Sequence, residues 1–181
     1  MQKQILWIFS DVHNTYTSSF GQNKDYKNNR IEELKNFKKI LLEISKIYKC
    51  DQIWFSFITS ENLELLKKHI DEFTNIIENT IIKFKKNYFK NKKYYKDDLN
   101  NDYNKEIKAE IIISEMIKNI DQIKVVIYID DNEFEHLFFE ELLKRETTKP
   151  KIVHNIKHKK LGLSGVNEAL KKHKKINNNS L

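Results

Sequence analysis

The sequence predicts an α/β protein built on a parallel sheet flanked by helices. Three observations predict it. Short apolar runs rich in β-formers, at 5–10 (ILWIFS), 52–59 (QIWFSFIT) and 124–130 (KVVIYID), alternate with segments of helical spacing. The runs are continuously apolar, as suits strands covered on both faces. Each run also ends on polar or ionisable residues, and parallel sheets gather their chemistry at the carboxyl ends of strands.

The elements follow in order. After 5–10, the polar stretch 16–29, with Gly21, reads as a loop or small hairpin. Between 30 and 48, Ile31, Leu34, Phe37, Leu41, Ile44 and Tyr48 recur every three or four residues, which predicts an amphipathic helix. The second strand at 52–59 leads into a helix beginning near Ser60, a plausible N-cap, with Leu63, Leu65, Leu66 and Ile70 on its buried side. The stretch 74–104 holds a further strand, expected around 76–84 but without a clear position. Residues 106–119 form a helix, 124–130 a strand, 133–145 a helix, 151–156 a short strand after Pro150, and 166–174 a closing helix.

The 181 residues suit one domain, placed at 1–175, with 176–181 expected as a disordered tail. The single cysteine, Cys50, excludes an intrachain disulfide and a cysteine-based zinc site, and fits a reducing compartment. No apolar stretch reaches the length of a membrane span. The start, MQKQILWIFSD, meets an acid at once and reads as a first strand, so a cytoplasmic protein is expected. The net charge of +7 comes with an abundance of Lys, Asn and Ile that nucleotide bias explains equally well, so charge alone does not argue for a nucleic-acid partner.

The strand ends carry the functional reading. The first offers Asp11, His13 and Thr15, the second Thr59 and Ser60, and the 124–130 strand Asp130 and Asp131, with Glu135 a helical turn later. Lys108 stands near the start of the helix that precedes this last strand. Carboxylates hold a hard divalent cation. Lysine and hydroxyl donors orient phosphate oxygens. A carboxylate can also act as a nucleophile toward phosphorus. The inventory therefore suits a phosphoryl group together with a magnesium ion.

In these residues the chain resembles the haloacid dehalogenase superfamily. Asp11-Val12-His13-Asn14-Thr15 follows a strand as that family's D-x-D-x-T does. FSFIT ends at Thr59, Lys108 in KAEIIISEMI (with Lys105 as alternate) matches the lysine near a helix start, and VVIYIDDNEFE supplies Asp130, Asp131 and Glu135. The resemblance covers residues 5 to about 170, taking KLGLSGVNEALKK as the closing loop and helix. It implies a Rossmann-like sheet with little or no cap, since 16–29 leaves room only for a flap. It implies a magnesium-dependent phosphatase acting through an aspartyl-phosphate. Asp11 would be nucleophile and magnesium ligand, the His13 backbone carbonyl a second ligand, and Asp131, helped by Asp130, would complete the metal site. Thr59 and Lys108 would hold the transferring phosphate. An open, weakly capped site implies a bulky phosphorylated substrate.

The chain departs from the family at one position. The second aspartate of the first motif, the family's general acid/base, is His13 here. Histidine can move protons near neutral pH. The departure keeps open a catalytically degenerate module of the same fold, used for binding or regulation. Asp-x-His after a strand also begins the calcineurin-like metallophosphoesterases, whose later motifs need glycines that this chain, with Gly21, Gly162 and Gly165 alone, does not supply. Residues 83–96 (KFKKNYFKNKKYYK) interleave lysines with aromatics. They read either as a contact for nucleic acid or another polyanion or as a solvated helix face with its aromatics turned inward. His136, His154, His158 and His173 are expected on the surface or in loops.

Overall fold

The computed structural model describes residues 3–17, 24–59, 63–89, 101–158 and 162–178. Five parallel strands, β1 (Ile5–Ser10), β2 (Gln52–Thr59), β3 (Ile82–Phe89), β4 (Ile123–Asp130) and β5 (Ile152–Lys157), form one sheet. Their order across the sheet is β3-β2-β1-β4-β5. The helices between and after them are α1 (Lys24–Ile47), α2 (Leu63–Ile76), α3 (Asn101–Lys118), α4 (Glu133–Arg145) and α5 (Gly162–Asn178). This is the predicted α/β fold, a Rossmann-like parallel sheet with helices on both faces. Among the described residues no cap domain is present.

Alternation along the strands divides the core in two. Leu6 and Ile8 of β1, Phe55 and Phe57 of β2 and Ile127 and Ile129 of β4 face one side, where α1, α2 and α5 cover them with Phe37, Leu41, Phe73 and Leu170. Trp7 and Phe9, Trp54 and Ile58, and Val126 and Tyr128 face the other, under Ile112 and Met116 of α3 and Phe139 of α4. Burial on both faces explains why β1, β2 and β4 read as unbroken apolar runs.

The strand order positions the site. From central β1 the chain winds outward through β2 to β3. It then returns over the opposite face through α3 and lays β4 on the other side of β1. Connections leave β1 and β4 in opposite directions, which opens a crevice beyond their carboxyl ends. Ser10 pairs with Ile129, and the Asp11 N–H donates to the Ile129 carbonyl at 3.0 Å, bringing Asp11 level with Asp130.

Several expected boundaries shift. The helix expected at 30–48 begins at Lys24, because its first turns are polar and carry no apolar period. The unplaced strand is β3, later than 76–84, at the edge of the sheet. Ile82 and Phe84 meet the core while Lys83 and Lys85 are exposed, so the strand has a polar half that masks its apolar one. The first part of the lysine–aromatic stretch is thus a strand and not a helix face; residues 90–96 lie outside those described. The last helix runs from Gly162 to Asn178, longer than 166–174, and takes in residues assigned to a tail. α1 closes with Lys49 at φ 50°, the Lys49 N–H on Lys46 O and the Cys50 N–H on Ser45 O. That is a Schellman-type stop made without glycine, in a chain that has few. No helix among the described residues is long and apolar enough to cross a membrane.

Candidate functional site

β1 ends at Ser10, and the backbone then coils into a single π-helical turn, Val12–Tyr16. Such turns are rare and frequent at functional sites. Asp11 precedes the turn in extended conformation. The Ser10 hydroxyl donates to the Asp11 carbonyl at 2.8 Å, and the Thr17 N–H closes the turn on Val12 O at 2.9 Å. Asp11 is therefore held by the β1–β4 ladder on one side and by the turn on the other.

β4 supplies the facing acid. Asp130, only 1% exposed, accepts from the Tyr128 hydroxyl at 2.7 Å through Oδ2 and from the Asn132 N–H at 2.8 Å through Oδ1. Tyr128 lies two residues earlier on the same face of the strand, which is how its hydroxyl reaches Asp130. Asn132 caps α4 by accepting from the Phe134 N–H at 3.0 Å, fixing the segment that holds Asp131. The Asp130 backbone is held too: His136 Nε2 donates to its carbonyl at 2.9 Å, and His136 Nδ1 meets Asn155 Oδ1 of β5.

Lys108 joins the two sides. Its Nζ lies 2.9 Å from Asp11 Oδ1, 3.4 Å from Asp130 Oδ2 and 3.5 Å from Glu135 Oε1. Carboxylate oxygens of Asp11, Asp130 and Asp131 lie within 4.8 Å of one another. Burial pushes the Asp11 carboxyl up to about 7, and Asp130 adds to the rise while Lys108 opposes it. Burial alone would lower the Lys108 ammonium, yet Asp11, Asp130 and Glu135 hold it above its usual range. Tyr128 is raised by burial and by Asp130, so its phenol stays a donor.

Three carboxylates, Asp11, Asp130 and Glu135, thus surround one ammonium, and a fourth, Asp131, stands beside two of them. A site so negative is suited to a further cation, and an all-oxygen donor set matches a hard divalent ion such as magnesium. With a bound phosphate, the same lysine and cation would neutralise its oxygens.

The expected residues fall as follows. Asp11, Lys108, Asp130 and Asp131 converge, and Glu135, read from the sequence as the acid a helical turn after Asp130 and Asp131, pairs with Lys108. Thr59 is buried at the carboxyl end of β2, beside β1. His13 is exposed in the turn after Asp11. The side chain of Lys105 lies outside those described. Of the four histidines expected on the surface or in loops, His158 does lie in the loop after β5, though buried, while His136 is buried in α4 and His154 and His173 are half-buried in β5 and α5. Tyr128 and His136 were missed as site residues. The period of two along β4 would have found Tyr128, while His136 carries no local signal.

Comparison with family models, with curated proteins and with solved structures finds no match to this chain. What defines its class is therefore its own fold and site: a parallel α/β sheet with an acidic, lysine-bridged cluster at its switch point.

Proposed function

We propose that the protein is a magnesium-dependent phosphatase of the haloacid dehalogenase type, acting on a bulky phosphorylated substrate. One observation carries the reading: Asp11, Lys108, Asp130 and Asp131 gather at the crevice between β1 and β4. In this reading the Asp11 carboxylate attacks phosphorus, a P–O bond forms to Asp11, and the bond to the leaving oxygen breaks. His13 supplies the proton to that oxygen and later takes one from the water that cleaves the aspartyl-phosphate. Lys108 holds Asp11 in place and faces the phosphate oxygens; Thr59 contributes a hydroxyl. Asp11, Asp130, Asp131 and the His13 carbonyl would hold magnesium, which supplies charge neutralisation on the phosphoryl group when bound.

The histidine at position 13, where the first motif of that family has its general acid/base aspartate, favours a second reading, a catalytically silent module on the same fold. A polyanionic partner on 83–96 has, among the described side chains, the exposed Lys83 and Lys85 to support it, and stands outside the main reading. Hydrolysis of an aryl phosphate with magnesium decides between enzyme and module. The parent should turn it over, Asp11→Asn should lose at least ~10³-fold in kcat while keeping its fold, and EDTA should silence the parent. A parental rate in Asp11→Asn, or full activity in chelator, sinks the proposal.

A further inference from the structure

The turn that follows Asp11 is anchored from the far end of the chain. Thr15 is 0% exposed, and its hydroxyl lies 3.1 Å from Nε2 of His158, itself 4% exposed. His158 follows β5, separated from Thr15 by 143 positions, and β4 lies between β5 and β1 in the sheet. The contact therefore runs past the carboxyl end of β4, where Asp130 stands. A buried hydroxyl needs a partner, but an apolar pair of similar shape would fill the same space without the desolvation cost. What a histidine–threonine pair adds is a fixed distance and direction between the two segments.

The next residue is anchored independently. Arg30 of α1 donates to the Tyr16 carbonyl, stacks over the Tyr16 ring at 4.5 Å, and forms a two-pronged ion pair with Glu72 of α2 at 2.8 and 3.1 Å. Tyr16 packs edge-on against Phe57 of β2 at 4.8 Å. Thr15 and Tyr16 are thus fixed by the segment after β5, by α1 and by β2, while His13 in the same turn is exposed. A π-helical turn is an uncommon backbone, and here neighbours on both sides specify it.

We propose that His158 is a positioning residue: it locks the π-helical turn through Thr15 and so sets where His13 stands relative to Asp11. Its effect on turnover rests on the phosphatase reading; its effect on the turn does not. Without the lock, the turn opens more often, and His13 and the backbone after Asp11 lose their fixed register. Displacements of about 1 Å can cost on the order of 10²-fold in rate.

The test compares the parent with His158→Ala, His158→Gln and Thr15→Val, Gln being chosen because its amide nitrogen can stand near the position of Nε2. The first readout is amide exchange at Thr17, whose N–H closes the turn on Val12 O. It should quicken about tenfold in His158→Ala and Thr15→Val, with strand amides of β1 and β4 unchanged, and return toward parental in His158→Gln. The second is aryl-phosphate hydrolysis with magnesium. There kcat should fall roughly 10- to 100-fold in His158→Ala, KM should hold, and Gln should restore most of the loss. Parental Thr17 exchange in both His158→Ala and Thr15→Val overturns the lock. Quickened exchange with parental kcat overturns its role in turnover. Quickened exchange restored by Gln in a parent that hydrolyses nothing upholds the lock and counts against the phosphatase.

Discussion

His13 stands two residues after Asp11, exposed, while Val12, Thr15 and Tyr16 beside it are buried. That contrast suits a side chain that must meet an incoming substrate rather than hold the fold. If its imidazole protonates the leaving oxygen, His13→Ala should lose about 10²-fold or more on a poor leaving group and little on a good one, which needs no proton. His13→Asp asks whether the chain is adapted to histidine: an enzyme that uses imidazole gains nothing, whereas a silenced module gains activity. Steady-state rates of parent, Ala and Asp variants on one good and one poor leaving group measure this. Equal parental and Ala rates on the poor one remove His13 from the chemistry. The acids and Lys108 were legible in the sequence because residue type and strand-end position both pointed to them. His136 and His158 were not, because what makes them matter is a partner elsewhere: Asn155 and the Asp130 carbonyl for one, Thr15 for the other. Histidines in polar surroundings of sequence look like surface residues until the fold buries them.

At the scale of elements, α1, β5 and α5 meet through a titratable cluster away from the candidate site. The Tyr48 hydroxyl lies 2.7 Å from His154 Nε2, and the His154 and His173 rings stand edge-on at 4.1 Å. Burial, then the neighbouring His173, lowers His154 to about 4, and burial lowers His173 as well. Both rings are held neutral in the fold, so the stability they contribute is whole above about 6.5 and is lost as pH falls toward 4. The nearby Lys174–Glu43 ion pair joins the same helices, but Lys174 holds the Glu43 carboxyl below its usual value, so that pair weakens only at lower pH. Both rings are partly exposed, so the expected loss between pH 7 and pH 5 is about 1 kcal/mol. Urea midpoints should show it, and His154→Phe should flatten the slope; parallel pH slopes in parent and variant would discard the cluster as its source. The elements that meet here differ in how openly the sequence announced them. The apolar period of α1 is plain from Leu34 to Ile44, where the helix faces the sheet, and silent in its first turns. β3 was obscured in the same way, since at its first four positions the buried or half-buried Ile82 and Phe84 alternate with the exposed Lys83 and Lys85.

Over the whole molecule, the sequence indicated a parallel sheet but not its order, because order depends on which face each connection crosses. The return through α3 is what sets β4 against β1 and turns two separate acidic strand ends into one cluster. That cluster burdens the fold when no cation is bound: Asp11, Asp130 and Glu135 are buried around Lys108, and Asp131 adds a further negative charge beside Asp11 and Asp130. A divalent ion bound only by the folded state should therefore stabilise the whole chain by mass action, by about 1.4 kcal/mol at ten times its dissociation constant. For a protein of this size that is a rise of roughly 3–6 °C in Tm. Magnesium titrated against the EDTA-treated parent should produce the rise, and Asp130→Asn and Asp131→Asn should reduce or abolish it. In EDTA, Asp11→Asn should melt no lower than the parent, since it relieves like-charge repulsion among the acids. A parental Tm that ignores magnesium, or one that rises equally in the parent and both aspartate variants, would mean that the ion is not held by this cluster. The cluster would then be a lysine-centred ion network, with no metal to polarise a phosphate.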